Sequence, residues 1–369
     1  MTEVIGVVGG GQLARMMIPA AEALGITIRV LAETDESSAR LAATAVGDYR
    51  DWSTLRQFAT SVDTLTFDHE HVPTDFLHRL FTEGVSVQPG PDALVFAQDK
   101  KAMRERLSTL DVPVPAWAVA ETAQEVDAFI RERGGEAIAK TPRGGYDGKG
   151  VRVVSAGSDV AEWLGTGPVL MEQRVDFARE VSQMVARRPS GETVAYPLVE
   201  TIQKGGVCAE VIAPAPHTTT EQVAEAARIG VLIAQSLGVT GVLAVEMFVT
   251  DSGQFMVNEL AMRPHNSGHV FTEGAITSQF EQHLRAVADW PLGSVELRHP
   301  WSVMVNLFGD AGNDRIRQIL DHSPQVSVHA YGKSARPGRK AGHLVVSGGN
   351  LDEVLALARA AGAIGEASA

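Results

Sequence analysis

The 369-residue chain carries 32 Lys and Arg against 45 Asp and Glu, a formal net charge of −13, with 44% hydrophobic residues and one cysteine, Cys208. So acidic a surface disfavours a general grip on a nucleic-acid backbone. A single cysteine excludes an internal disulfide or a cysteine-based metal centre, and no apolar run approaches the roughly 18 residues that cross a membrane. The length allows two or three domains. Met1-Thr2-Glu3 runs straight into a strand pattern, without the basic start or cleavage site of a signal peptide, so a cytoplasmic protein that binds neither membrane nor nucleic acid is expected.

Val4-Ile5-Gly6-Val7-Val8 is a continuous apolar run, as in a buried parallel strand. After Gly9-Gly10-Gly11, residues Leu13, Met16, Met17, Ala20, Ala21 and Leu24 recur at helical spacing, with Gly25 placed as the C-terminal cap. Ile28 to Ala32 predicts a second strand, ending at Glu33, and the three pieces make a βαβ unit. Gly9-x-Gly11-x-x-Ala14 with Glu33 fits the dinucleotide fingerprint of an NAD-binding oxidoreductase. The same glycines also suit any tight strand-to-helix turn, or a site for another phosphate. Asp63 to Asp68 predicts a further strand, ending in Asp68-His69-Glu70-His71, a group that suits either a metal or a ligand at the carboxyl end of a strand. Gln88-Pro89-Gly90-Pro91 breaks the pattern and marks the first domain boundary.

Asp99 to Leu110 predicts a charged amphipathic helix, Val112 to Pro115 an extended linker, and Glu121 to Arg133 a helix ended by Gly134-Gly135. A strand-like run, Glu136 to Ala139, then delivers Lys140 into a loop containing Gly144, Gly145, Gly148 and Gly150 with the cations Arg143 and Lys149, before a second strand, Val151 to Val154. Such a loop is either a lid whose backbone amides close over phosphates or a hairpin with a glycine-rich turn. It is not a Walker A motif, because Arg143 replaces the first glycine and Gly150 the hydroxyl. Pro168 to Glu172 and Glu180 to Arg187 read as strands, and Glu221 to Leu237 as a long helix ending at Gly238.

Val242 to Val249 and Gln254 to Leu260 flank Thr250-Asp251-Ser252-Gly253. A two-residue turn at Ser252-Gly253 would oppose Asp251 to Gln254, Val249 to Met256 and Glu246 to Glu259. Two glutamates side by side on apolar strands repel unless a cation lies between them, and hard oxygen ligands suit Mg²⁺ shared with phosphate. A slipped register would instead send one of them to solvent. Arg263-Pro264-His265-Asn266-Ser267-Gly268-His269 follows as a polar loop of substrate-holding type. Ser302 to Leu307, Val326 to Ala330 and His343 to Ser347 predict strands of a last small domain. Between them lies a basic loop, Lys333 to Lys340, either a phosphate clamp or a solvated turn.

A lysine on a strand, a glycine loop, Glu172 to Val175 and paired glutamates ending in Asn258-Glu259 together resemble the ATP-grasp ligases. Gly-Gly-Gly-Gln-Leu at 9–13, Gly-Gly-Tyr-Asp-Gly-Lys-Gly at 144–150, Asn-Glu-Leu-Ala at 258–261, Arg263 with His265 to His269, and Arg-Pro-Gly-Arg-Lys-Ala-Gly-His at 336–343 narrow this. In that order and combination they resemble the N5-carboxyaminoimidazole ribonucleotide synthases over almost the whole chain.

The resemblance implies a mixed α/β and α+β fold. It comprises a Rossmann-like domain over 1–97, an ATP-grasp domain over 98–299 with a lid subdomain at about 115–172, and a small β-rich C-terminal domain over 300–369. It implies ATP- and bicarbonate-dependent carboxylation of 5-aminoimidazole ribonucleotide in purine synthesis, with ATP and Mg²⁺, by a homodimer linked to a downstream mutase.

By the same resemblance Lys140, Tyr146, Arg263 and His265 are catalytic. ATP is held by Lys100, Lys140, the loop residues Gly145, Tyr146, Asp147, Gly148, Lys149 and Gly150, then Glu172, Gln173, Arg174, Val175, Glu180, Gln203, Asn258 and Glu259. The ribonucleotide meets Gln12, Leu13, Glu70, Asn266, Ser267, Lys333, Arg339 and Lys340, and the metal meets Glu246 and Glu259. Lys100 stands where the family pattern has an arginine, keeping charge but losing a planar fork, and Gln203 where it has a histidine. Another ATP-grasp ligase, a formate-using transformylase or a biotin carboxylase, would share the loop and the paired acids but not Gly-Gly-Gly-Gln-Leu with the basic C-terminal segment. An NAD oxidoreductase would explain residues 1–33 alone. Intact Lys140, Glu246 and Glu259 argue against a binding protein without activity.

Overall fold

Three sheets organise the chain in the computed structural model, which describes residues 2–145 and 150–365. The first has five parallel strands in the order Ala43–Val46, Thr27–Ala32, Val4–Val8, Thr64–Phe67, Ser86–Val87. Both of its faces are covered, which is why Ile5, Val7 and Val8 have no exposed surface. The strand order reverses between Val4–Val8 and Thr64–Phe67. Gly9 to Gly11 and Asp68 to His71 therefore flank the crevice where doubly wound sheets take ligands.

The glycine turn there serves the protein's own carboxylates. Asp68 Oδ1 accepts a 2.7 Å hydrogen bond from Ala14 N, in the first turn of helix Gln12–Leu24. Glu33 Oε2 accepts one of 2.9 Å from Gly10 N. A Cβ on Gly11 would lie 1.9 Å from Asp68 Oδ2, so only glycine lets the acid reach the helix end. The dinucleotide reading fails on this arrangement. Asp68 occupies the helix N-terminus where a pyrophosphate would bind, and Glu33 is tied to the turn and to His69 instead of facing a ribose.

The largest sheet has nine strands, paired antiparallel throughout. They run Phe255–Ala261, Gly241–Val249, Arg179–Arg187, Val199–Lys204, Val207–Ala213, Trp301–Gly309, Arg336–Gly348, Ser327–Ala330, with Thr193–Ala195 beside Arg179–Arg187. The expected separate C-terminal strands thus join the central sheet: Trp301–Gly309 pairs with Val207–Ala213, which buries an edge that would otherwise be open. Helix Leu351–Ala363 covers this end, packing Val354, Ala358 and Ala361 on Val303, Leu307 and Leu344. The basic segment is also less of a loop than expected, since Arg336 to Lys340 already belong to a strand.

A smaller sheet of four antiparallel strands, Trp117–Ala120, Val169–Gln173, Ala137–Lys140 and Val151–Val154, lies between these in the chain. Helix Ala123–Glu132, started by a Thr122–Glu125 capping box, buries Val126, Phe129 and Ile130 against it.

The hairpin that carries the paired glutamates departs from the predicted turn. Its loop has three residues, Asp251, Ser252 and Gly253, closed by Thr250 N to Gln254 O at 3.0 Å, with Gly253 at φ +81°. Val249 consequently faces Phe255, not Met256. A β-bulge then inserts Asn258, and Glu246 faces Glu259 after all. Because the bulge adds one residue to one strand, the consecutive side chains of Asn258 and Glu259 both line the same cleft.

Replacing Gly11 by alanine should lower stability by about 1–3 kcal/mol through overpacking against Asp68. A urea melt monitored by far-UV circular dichroism measures it, and an unchanged midpoint would mean that Asp68 swings clear.

Candidate active site

A cleft of about 1810 Å³ is lined by residues of the four- and nine-stranded sheets and of the segments that follow strands of the parallel sheet. Every described residue expected at the site lines it except Gly150 and Ser267, while Tyr146, Asp147, Gly148 and Lys149 lie outside the described residues. Gly150 extends the hairpin instead, its carbonyl accepting Thr141 N at 2.9 Å.

At one side, Lys140 leaves the end of its strand and is almost enclosed. Its Nζ lies 2.8 Å from Glu172 Oε2 and donates to Asn258 Oδ1 at 3.0 Å. Arg104, with no exposed surface, takes the other oxygen of Glu172 at 2.7 Å through Nε and donates to Asn258 O at 2.7 Å through Nη2. Burial opposes the charge on Glu172, but Arg104 and then Lys140 outweigh it and hold this carboxyl below the usual range. Both side-chain oxygens of Glu172 are thus used inside the protein, and the residue is 2% exposed. Arg174 lines the cleft and pairs with Glu136. Lys100 Nζ donates to Gly144 O at 2.9 Å, and Arg143, a cation of the glycine loop, pairs with Asp99 at 2.9 Å. Glu180 and Gln203 meet through a side-chain hydrogen bond, and burial raises the Glu180 carboxyl.

In the middle stand Glu246 and Glu259. Burial first, then the charges of Glu259 and Glu180, push Glu246 up to about 7. His265 Nε2 lies 3.6 Å from Glu246 Oε1, and burial, reinforced by Arg263 and Lys340, keeps this imidazole neutral. Its orientation is fixed from behind. Nδ1 meets Ser267 Oγ at 2.9 Å, Ser267 Oγ meets Ser182 Oγ at 2.8 Å, and Gln279 Oε1 accepts His265 N at 2.8 Å. Ser267 is 1% exposed and supports His265 from behind. Arg263 Nε lies 2.7 Å from Glu70 Oε1, and that pair with nearby Asp68 outweighs burial to keep the guanidinium charged.

At the far side the two chain ends meet. Lys333 Nζ donates to Gln12 Oε1 across 321 positions of sequence. Arg15 Nε donates to Ala330 O at 3.0 Å, and Asn266 exchanges amide hydrogen bonds of 2.8 and 3.0 Å with Asn306. Leu13 reaches the cleft but is 6% exposed and packs mainly in the core of the first sheet. Lys340 and Arg339 complete a cationic wall there.

Among the described residues no three His, Cys, Asp or Glu side chains gather into a metal cage. Asp68-His69-Glu70-His71 is spent on Ala14, Glu33 and Arg263. The Glu246–Glu259 pair nevertheless fits Mg²⁺, which uses one or two carboxylates and completes its shell with phosphate and water. Glu259 adds to burial in raising the Glu246 carboxyl, so the two acids stand close enough to share one cation. Arg104, Ser182 and Gln279 were not legible as site residues. Only the position of Arg104 on one helical face with buried Met103 and Leu107 hints at its inward course.

A switch-point crevice, a four-stranded sheet presenting a buried lysine and opposed acids on a large antiparallel sheet define an ATP-grasp ligase. Family models agree: a ribonucleotide synthetase preATP-grasp domain matches residues 1–98, an ATP-grasp domain 105–280, and a phosphoribosylaminoimidazole carboxylase C-terminal domain 302–357. The N5-carboxyaminoimidazole ribonucleotide synthase of Mycobacterium tuberculosis is 46% identical over 363 residues, covering 95% of this chain and 85% of its own. The crystal structure of the synthetase from Thermus thermophilus superposes with a TM-score of 0.88 at 35% identity, covering 96% of this chain and 97% of that one. The Aspergillus clavatus synthase, solved with ADP and 5-aminoimidazole ribonucleotide, superposes with 0.88 at 30% identity, covering 98% and 97%. This chain belongs to the N5-carboxyaminoimidazole ribonucleotide synthase family.

The Glu246 carboxyl sits above its ordinary value in the fold, so the folded protein binds the extra proton. In EDTA, stability should therefore fall as pH rises from about 4.5 to about 7, by on the order of 1–3 kcal/mol. Glu246→Gln should remove that slope and melt higher than the parent at pH 8 but not at pH 4.5. A pH-independent difference in melting temperature would contradict this.

Proposed function

We propose that this protein uses ATP and bicarbonate to carboxylate the exocyclic amine of 5-aminoimidazole ribonucleotide, giving N5-carboxyaminoimidazole ribonucleotide, ADP and phosphate. The observation that supports the reading is one cleft lined by two separate groups of cations. Lys140 lies at the first and Lys333 with Gln12 at the second, with Arg263 and His265 between them. That layout suits a triphosphate at one end, a sugar phosphate at the other, and a small anion activated in the middle.

Phosphoryl transfer depends on positioned charge more than on covalent catalysis. Lys140 would bind the triphosphate, held in place by Glu172 and Asn258. Glu246 and Glu259 would hold Mg²⁺, which when bound offsets phosphate charge. Arg263, fixed by Glu70, would bind bicarbonate and orient an oxygen toward the γ-phosphorus. The bond from that phosphorus to ADP breaks as the new P–O bond forms, giving carboxyphosphate. The amine then attacks carboxyphosphate, or CO₂ released from it, forming the N–C bond as phosphate leaves. Neutral His265 would accept the amine proton. Lys333, Arg339 and Lys340 would hold the sugar phosphate, with Gln12 and Asn266 beside the ring. Gln203, uncharged, would position Glu180 by its hydrogen bond. The setting we infer, a cytoplasmic homodimer whose product passes to a mutase, rests on the family likeness alone.

Purified protein with Mg-ATP, bicarbonate and 5-aminoimidazole ribonucleotide should release ADP at a rate that depends on all three substrates. Turnover indifferent to the ribonucleotide would overturn the reading in favour of another ATP-grasp ligase. Glu259→Gln should cut turnover about 10²-fold or more while the circular dichroism spectrum is unchanged. Full activity in that variant would refute the metal assignment.

A further inference from the structure

We propose that Arg104 is a positioning residue that locks the phosphate-binding lysine and the metal-binding strand into a single geometry. This rests on the ATP-dependent reading above and adds a residue to it. Arg104 does not line the cleft. It sits behind it on helix Lys100–Thr109, with no exposed surface. Its fork makes two different attachments. Nε holds Glu172 Oε1 at 2.7 Å, leaving Oε2 to Lys140 at 2.8 Å. Nη2 takes the carbonyl of Asn258 at 2.7 Å.

Asn258 is the residue inserted by the bulge, and the bulge is what returns Glu259 to the position opposite Glu246. An extra residue in a strand disrupts the ladder locally, so a donor on its carbonyl fixes how the strand bends. The amide of Asn258 is held from the other side by Lys140 Nζ at 3.0 Å. One guanidinium therefore sets the lysine through Glu172 and the acid pair through Asn258. Three sequence-distant segments, the helix, the small sheet and the large sheet, meet on it.

A stabilising role alone explains this poorly. A buried ion pair seldom adds net stability over apolar replacements, and Arg104 Nη1 is buried with no hydrogen-bond partner. Lysine in its place would keep the charge but, as a point donor, would not serve both attachments with the same geometry.

The test compares Arg104→Lys, Arg104→Met and Leu107→Ala, the last a buried residue of the same helix away from the cleft. ADP binding is titrated by calorimetry with and without Mg²⁺, alongside thermal melts and steady-state kinetics on the full chain. Arg104→Lys should fold, lose about tenfold of the affinity gain that Mg²⁺ confers on ADP, and lose about tenfold in kcat at unchanged KM for the ribonucleotide. Leu107→Ala should melt lower yet keep the Mg²⁺ dependence of the parent. Arg104→Met should either follow Arg104→Lys with larger losses or fail to fold, in which case Arg104→Lys decides. A parental Mg²⁺ dependence in Arg104→Lys, or an equal loss in Leu107→Ala, overturns the proposal. A parent that binds Mg-ADP but ignores the ribonucleotide defeats only the functional reading. A parent that binds no nucleotide defeats both.

Discussion

Two carboxylates facing each other from adjacent apolar strands are the constraint around which this protein is built. Coulomb repulsion across a strand pair is tolerable only where the surrounding structure fixes the backbone and supplies positive charge nearby. Both provisions are present. The bulge at Asn258 fixes the geometry, and the cations of the cleft, Lys140, Arg263 and Lys340, stand around the pair. Burial first, and the charge of Glu259 second, push the Glu246 carboxyl up to about 7.

A second theme is how few charged side chains act alone. Lys140 is tied to Glu172, Arg263 to Glu70, Lys333 to Gln12, and Arg143 to Asp99. In a chain of net charge −13, these four cations are each aimed by an acid or amide side chain of the protein. Pre-aimed groups lose little side-chain entropy when the ligand arrives, which is the physical basis of preorganisation. Arg263–Glu70 and Lys333–Gln12 join segments that follow strands of different sheets and so also hold those sheets around the cleft, whereas Lys140 and Glu172 lie on neighbouring strands of one sheet.

The hairpin shows how local rules succeed and fail together. Spacing predicts a two-residue turn at Ser252-Gly253, whereas the loop has three residues, which shifts the register by one. The bulge shifts it back, so Glu246 and Glu259 meet for a reason the turn does not contain. The glycine turn at Gly9 to Gly11 is ambiguous for a similar reason. Spacing alone does not reveal that Asp68, 54 positions away from Ala14, already occupies the helix end. The motifs bring Glu172 and Ser267 to the right neighbourhood without showing which protein groups each one holds. Their burial, 2% and 1% exposed, depends on what packs over them, and that is invisible in a short window of sequence.

The sequence by itself determined the opening βαβ unit, the strands that carry Lys140, Glu246 and Glu259, the order of the motifs and the family, because apolar periodicity, glycine turns and motif spacing are properties of neighbours along the chain. Only the tertiary structure decided which charge meets which, that the C-terminal strands continue the central sheet, and that Arg104 lies at the junction of three segments. Those outcomes depend on contacts between residues far apart, 68 positions for Arg104 and Glu172 and 154 for Arg104 and Asn258, and on the loss of water around them. Burial sets the strength of a charge pair and the protonation of a carboxyl, and burial exists only once the sheets have closed on one another.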